Sequence, residues 1–524
     1  MNCCRWICRM ETDASEADHR TFTYQLTDGV NLADLPQELK ARIFRHLTAT
    51  DLCRVALCNR ILRETANDDD LWHRLCQSQG WERYGTMSDL CKEPPFKPTS
   101  KEHKTGEGGA PTFPVNAVVT GSDWPGLVDT CKWKEVYMKA RHLEENWRNE
   151  RFYTTLFDLS LINDKENVSS SNSDNYAYLQ LILNIAVEGD CLVAGSWHRT
   201  LEVWDMCSKK RQHLIQLDIS EDSEALKMKD GIVAAGCKDG KIRTFSAQTG
   251  EQLQVMSGHR LAVSQLFFDG KTIVSVAQKQ PSLWGYDDSV DADSDIRVWS
   301  AANGASRYVL QSGHEATRLL HLDYKEKIVA GAYNDNIIRI WDARSGSCMQ
   351  DIACGMNKLT SCHLGDSIVI GASKDFIVKI WELQSWECIK TFDVPLHRGI
   401  QLSSPYEQAK YMYSDGLLIA VTLHNGLYIL NLNGERLLID GRGTVQPLSL
   451  KGNKLLTWSS EDGWYGGLWL FYPMKSADGK AQGSSKTVQY VGQTHVACAW
   501  MSDTKMVYQG MYGFPTYVSV RHYW

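Results

Sequence analysis

Five short β-type runs, each reaching an aromatic residue, recur at nearly constant spacing in the second two-thirds of the sequence. They are Leu201-Glu202-Val203-Trp204-Asp205, Ile242-Arg243-Thr244-Phe245, Ile296-Arg297-Val298-Trp299, Ile338-Arg339-Ile340-Trp341-Asp342 and Val378-Lys379-Ile380-Trp381-Glu382. Their aromatics lie about 41, 54, 42 and 40 residues apart, and the long interval carries an insertion over 278–292. Fainter copies cover 427–431, 467–471 and 517–524. A second apolar strand precedes each run, as in Leu192-Val193-Ala194-Gly195-Ser196 and Ile328-Val329-Ala330-Gly331-Ala332, and a polar turn joins the two. A repeat of this length is one supersecondary unit that cannot bury its own apolar faces, so the units must stack on each other. Over residues 177–524, eight units need roughly 43 residues each and seven roughly 50; the usual period of about 40 to 45 predicts eight, with seven the alternative. The last run ends at Trp524 and leaves its unit short of an outer strand. Residues 152–159 are predicted to supply that strand and so remove a free sheet edge.

The chain has 524 residues, 43% of them hydrophobic and 23% charged, with a formal net charge of −7. This balance fits folded globular domains and excludes a wholly disordered, collagen-like or coiled-coil chain. Without a basic footprint, no nucleic-acid partner is expected. No apolar run reaches the roughly 18 residues of a spanning helix, so no membrane partner is expected. Met1–Met10 lacks the apolar core of a signal peptide. The 16 cysteines are scattered and form no Cys-x-x-Cys pair. They read as reduced thiols of an intracellular chain, cytoplasmic, nuclear or both.

The expected organisation is a loose tail over 1–30, a helical module over 31–81, a Pro/Gly-rich insertion over 82–129, a linking helix over 130–150 and the repeats over 151–524. In the linking helix, Trp133, Val136, Tyr137, Ala140, Leu143 and Trp147 recur at helical spacing on one face. In the helical module, Leu35-Pro36 places Pro near the first helical position, where its missing N–H costs nothing. Leu39, Ile43, Phe44 and Leu47 form an apolar stripe, Thr50-Asp51 is predicted to cap a second helix, and Asp69 or Asp70 a third.

The repeat resembles the WD repeat, the unit of β-propeller blades. The resemblance implies a buried network of a Gly-His histidine, a turn aspartate and a strand tryptophan. His314, Asp335 and Trp341 match that pattern, as do His259, Asp295 and Trp299. These residues would hold a blade together rather than bind or react, and blades without the histidine should be looser. Arg243, Arg297, Arg339 and Lys379 repeat along the third strand and are expected on blade-to-blade surfaces.

The helical module resembles an F-box. The run Leu35-Pro36-Gln37-Glu38-Leu39, then Ile43-Phe44-Arg45-His46-Leu47, Asp51 to Arg60 and Leu71-Trp72-His73-Arg74-Leu75 carries the likeness; Arg60-Ile61-Leu62 departs from the usual Arg-Trp pair. The resemblance implies a Skp-type adaptor as partner and contacts at Leu35, Pro36, Ile43, Leu47 and Leu52, with Leu39 and Leu57 in the core. Together the two modules resemble F-box/WD-repeat proteins, an α plus all-β architecture of helical box, linking helix and propeller. The implied function is the substrate-recognition adaptor of an SCF-type cullin-RING ubiquitin ligase, linked through the Skp-type adaptor to cullin and RING subunits. The alternative is a WD-repeat scaffold whose box is non-degradative or inactive.

Family members that read phosphorylated segments do so with arginine, whose planar fork donates two charge-assisted bonds. The corresponding rim positions hold Arg318, Lys238 and Lys374, with Asn334 between and His198 and Arg199 in the first copy. These are the expected substrate contacts, suited to a protein substrate with or without phosphate and weighed against an ordinary solvated face. No phosphate-binding glycine loop, nucleophile elbow or zinc motif occurs, so neither enzymatic chemistry, a cofactor nor a metal is expected.

Overall fold

The computed structural model describes residues 32–86, 131–158, 182–196, 199–217, 223–278, 295–311, 317–375, 377–393 and shorter stretches between 411 and 524. They divide into two compact units, one within 1–154 together with 522–524, the other within 155–521.

The first unit is helical: α1 (Gln37–Phe44), α2 (Ala49–Cys58), α3 (Arg60–Ala66), α4 (Asp69–Gln79) and α5 (Lys132–Arg148). Pro36 is the N-cap of α1, one residue earlier than its predicted place. The cap of α2 is Thr48, whose hydroxyl accepts the Asp51 N–H at 3.2 Å; Thr50 and Asp51 lie inside the helix. Asp68, rather than Asp69 or Asp70, caps α4. A helix that the sequence reading did not include follows the second: the Asn59 backbone is extended, and its side chain accepts the Leu62 N–H at 2.8 Å to start α3. These shifts share one cause: a cap needs extended backbone as well as an acceptor side chain.

Phe44, Leu52, Cys53, Leu62, Leu71 and Trp72 form the core, joined by Tyr137 and Met138 of α5. Tyr137 meets Trp72 edge-on at 5.3 Å, and Lys134 donates to Asn67 at 2.7 Å. The linking helix therefore packs as part of the helical module. It is enclosed on more than its apolar stripe, with Lys134, His142, Glu144 and Asn146 buried as well; Tyr84 donates to Glu144 at 2.9 Å. The C-terminal residues complete this unit, with Tyr523 stacked on Trp147 at 3.5 Å and accepting an Asn146 hydrogen bond through its carbonyl.

The second unit holds, among the described residues, eight four-stranded antiparallel sheets. We number these blades 1 to 8 from Ile182 onward. In blades 1 to 7 the chain runs through the strands in sequence order, and the first strands pack together from blade 1 to blade 3 and from blade 4 to blade 7. Blade 8 takes its fourth strand, Tyr153–Asp158, from before the repeats. Phe157, Val507, Val518 and Val520 of that sheet share a core with Val187, Leu192 and Trp204 of blade 1.

The second and third strands of blades 1 to 4 are buried almost throughout, as strands covered on both faces are, and each third-strand aromatic there lies beside a bulge in the outer pairing, as between Ile340 and Trp341. Small residues face the bulky third strand: a Cβ on Gly331 would lie 3.1 Å from the Trp341 ring. At the end of each blade away from the aspartate turns, side chains tie neighbouring hairpins. Glu188 of blade 1 accepts the N–H groups of Asp230 and Gly231 at 3.0 and 2.9 Å, and Tyr324 donates to Asp269 at 2.7 Å.

Candidate functional site

Two surfaces carry the candidate contacts. On the helical unit, Pro36 is exposed, Leu35 and Leu47 are half-buried, and Ile43 is 42% exposed. Leu52 is only 1% exposed and belongs to the core, which corrects its expected role as an adaptor contact. The reverse correction applies to Leu39 and Leu57, expected in the core but 47% and 39% exposed. Ile61, in the segment that departs from the family pattern, is 49% exposed, while Leu62 beside it is buried. Leu39 and Ile43 lie one turn apart on α1 and so share a face. The Thr65 hydroxyl of α3 donates to Gln37 of α1 at 3.1 Å, holding the two helices together. Leu39, Ile43, Leu57 and Ile61 are thus the large apolar side chains that this unit leaves exposed among the described residues.

On the blades, Lys238, Arg318 and Lys374 sit at the rim where the second-to-third-strand turns lie, on blades 2, 4 and 5. Lys238 and Arg318 are exposed and Lys374 is half-buried. Arg318 is fastened to its own turn: its N–H donates to the Asn334 side chain at 2.8 Å, and its carbonyl accepts the Asn334 N–H. Arg199 is exposed with a positive φ of 64°. His198 lies outside the described residues.

The aspartate turns show what organises that rim. In blade 3, His259 Nδ1 lies 2.9 Å from Asp295, and its Nε2 lies 2.6 Å from Ser275 Oγ. Trp299 Nε1 donates to the same oxygen at 2.8 Å. With Nδ1 turned to the carboxylate, His259 meets the Ser275 hydroxyl through Nε2. Burial alone would raise the Asp295 carboxyl, but the hydrogen bonds from His259 and Arg297 outweigh it and hold the carboxyl below its ordinary range. Sequence reasoning missed Ser275. Its register partner is Arg297, and the matching positions in other blades hold Ala194, Ala235, Gly331 and Gly371, so a lone hydroxyl among small apolar residues was the available signal.

Blades 2 and 4 are held differently. Arg243 donates two bonds to Asp239 at 3.0 and 2.6 Å, and Arg339 donates two to Asp335 at 3.3 and 2.6 Å. His314 lies outside the described residues; Asp335 accepts from Arg339 and from the Ile337 N–H, and Trp341 is buried in the core shared by blades 3 and 4. Arg243 and Arg339 are 6% and 1% exposed, so they act as internal clasps on the strand faces expected to lie between blades. Blades 2 and 4 thus have a second means of fixing the turn. Phe245 in blade 2 is consistent with this, because it has no N–H to give to a Trp-type network. Lys379 of blade 5 instead donates to the Cys354 carbonyl at 2.8 Å.

Among the described residues no group of three His, Cys, Asp or Glu side chains is placed to hold a metal, and no helix is long and apolar enough to cross a membrane.

The chain thus combines a small helical unit that carries exposed apolar side chains with an array of four-stranded repeat sheets. Residues 32–78 match the F-box-like family model. The chain is 27% identical over 222 residues to the F-box/WD repeat-containing protein pof1 of Schizosaccharomyces pombe, covering 35% of this chain and 33% of that protein. It is 26% identical over 175 residues to the "Probable E3 ubiquitin ligase complex SCF subunit sconB" of Arthroderma otae, covering 33% and 22%. It is also 29% identical over 122 residues to mitochondrial division protein 1 of Candida glabrata, covering 19% and 17%. The chain thus spans a third or less of the length of these relatives. In these stretches the chain is similar to F-box/WD-repeat proteins.

Proposed function

We propose that this chain is the substrate-recognition adaptor of an SCF-type cullin-RING ubiquitin ligase. The observation that carries the reading is the exposed apolar set Leu39, Ile43, Leu57 and Ile61, with Pro36 beside it, inside the segment that matches the F-box-like model. Burying one such side chain against a partner is worth about 1.5–3 kcal/mol, so a few suffice for a stable junction. The partner is a Skp-type adaptor, which brings the cullin and RING subunits, and ubiquitin transfer belongs to those subunits rather than to this chain. The blades present the protein to be ubiquitinated, with Lys238, Arg318 and Lys374 suited to an acidic or phosphorylated segment. The site of action is intracellular, in the cytoplasm, the nucleus or both.

The test is affinity purification of the full chain from proteasome-inhibited cells, wild type beside Leu39→Asp/Ile43→Asp. Partners held by the blades should be recovered with both, and should carry ubiquitin chains only with the wild type. Equal ubiquitination with both would refute the adaptor reading and leave a scaffold.

A further inference from the structure

A chain of hydrogen bonds joins the rim cations of blades 4 and 5. In blade 4, Arg318 and Asn334 are held to each other twice, by the Arg318 N–H on the Asn334 side chain at 2.8 Å and the Asn334 N–H on the Arg318 carbonyl at 3.0 Å. Two residues along the same turn, the Asn336 side chain accepts the N–H of Leu359, which opens the innermost strand of blade 5, at 2.8 Å. Lys358 immediately precedes that strand, and its carbonyl accepts the Lys374 N–H at 2.9 Å. At about 3.8 Å between consecutive Cα atoms, the anchors Asn334 and Asn336 lie within about 7.6 Å of each other. Register makes Lys358 the blade 5 counterpart of Arg318: each precedes a leucine, Leu359 or Leu319, that pairs with the last residue of its second strand.

Arg318 and Lys358 are exposed and Lys374 is half-buried. None of the three side chains has a hydrogen bond or ion pair among the described residues. Asp335, between the two asparagines, is taken by two bonds from Arg339. Asp375, beside Lys374, is exposed. Three cations against that one carboxylate leave the patch positive, in a chain whose net charge is −7. The loop that presents Lys358 is fixed as well. Lys379 donates to its Cys354 and Gly355 carbonyls at 2.8 and 3.4 Å, and the Asn336 carbonyl accepts the Cys354 N–H at 3.2 Å. Lys358 itself has a positive φ of 55°, a left-handed conformation that is strained for a lysine. The fold thus gathers like charges and strains one of them, an arrangement that costs stability until an anion answers it.

We propose that Lys358 completes, with Arg318 and Lys374, one anion-binding site across blades 4 and 5, and that the site takes a substrate segment bearing at least two negative charges close together. These are two adjacent acidic side chains or one phosphate, which carries about two charges. The Arg318 fork donates to one oxygen pair, and the two lysines neutralise the remaining charge. Asn336 is a positioning residue, acting through the Leu359 N–H. The inference rests on the reading that the blades hold the substrate, and it narrows that surface to two blades, leaving out Lys238 of blade 2. It does not depend on the helical unit binding an adaptor.

The test is fluorescence anisotropy of the full chain at low ionic strength with rhodamine-labelled peptides: one with two adjacent glutamates, one with a single phosphoserine, and one with glutamines in place of the glutamates. The wild type should bind an acidic probe and not the glutamine probe. Lys358→Gln, with circular dichroism unchanged, should weaken binding by on the order of threefold to tenfold, and Lys358→Arg should retain it. Asn336→Gly, which tolerates the positive φ and removes no charge, should also weaken binding, a loss that net charge alone would not produce. Binding of the phosphoserine probe alone assigns the site to a phosphorylated segment, and binding of both acidic probes to any paired acid. Undiminished binding by Lys358→Gln overturns the proposal; if Arg318→Gln still loses the probe, the wider rim reading survives it. No binding of either acidic probe by the wild type overturns both.

Discussion

Ser275→Ala probes the blade 3 network most sharply, because one oxygen serves both His259 and Trp299. The substitution removes no packing bulk and is already the residue at this place in blades 1 and 2. It leaves the Trp299 indole N–H and the His259 Nε2 buried without partners, at about 1–3 kcal/mol each. Allowing for partial relaxation, the local loss is about 2–4 kcal/mol. Hydrogen exchange of the Trp299 indole, read from its ¹H–¹⁵N resonance, should accelerate by about thirtyfold to a thousandfold, since each 1.4 kcal/mol is tenfold. Trp299→Phe alone, which copies Phe245, should cost about 1 kcal/mol of blade stability. The double variant should cost less than the sum of the two, because it no longer strands the indole N–H. Additivity within about 0.3 kcal/mol in denaturant unfolding, or an unchanged exchange rate in Ser275→Ala, would refute the network argument.

In blade 4, Asp335→Ala leaves the Arg339 guanidinium, 1% exposed, without its bidentate partner, and should cost about 3–5 kcal/mol in denaturant unfolding. In the helical unit, Leu52→Ala should cost about 2–5 kcal/mol, whereas Ile43→Asp should leave helicity by circular dichroism almost unchanged, because one side chain is core and the other lies in water. Acid sensitivity should be set partly by His321 of blade 4. Burial, then the neighbouring His363, pushes its imidazole down to about 3, while Asp323 acts the other way. The unfolded chain therefore binds more protons below an ordinary histidine value of about 6.5, and stability falls as pH drops from there toward 3. His321→Leu should flatten the loss of unfolding midpoint between about pH 6.5 and 4, above the range in which Asp239 and Asp295, both held low in the fold, lose stability.

The repeat period and the short apolar runs that carry it made the blades legible, because a strand pattern with a fixed period has few ways to bury its faces. The same logic located the strand that completes blade 8, since an unpaired edge demands a partner. Side-chain direction on short helices was less legible. Leu39, Leu52 and Leu57 are all leucines in helical register, and only the packing of α1, α2 and α3 around Phe44 and Trp72 decides which turn inward. Caps were misplaced by one or two residues for a related reason: Thr48 and Thr50, like Asp68 and Asp69, carry the same chemistry and differ only in backbone conformation. The turn aspartates were visible, but their partners depend on register across strands. The pairing of Arg243 and Arg339 with those aspartates, and the part played by Ser275, therefore went unnoticed.

The most direct measurement is the affinity of the full chain for a purified Skp-type adaptor, wild type beside Ile43→Asp and Ile61→Asp, each first shown to be folded. The account predicts tight binding by the wild type and a loss of at least about tenfold in each variant, the equivalent of 1.4 kcal/mol. Failure of the folded wild type to bind, or equal binding by both variants, would contradict it.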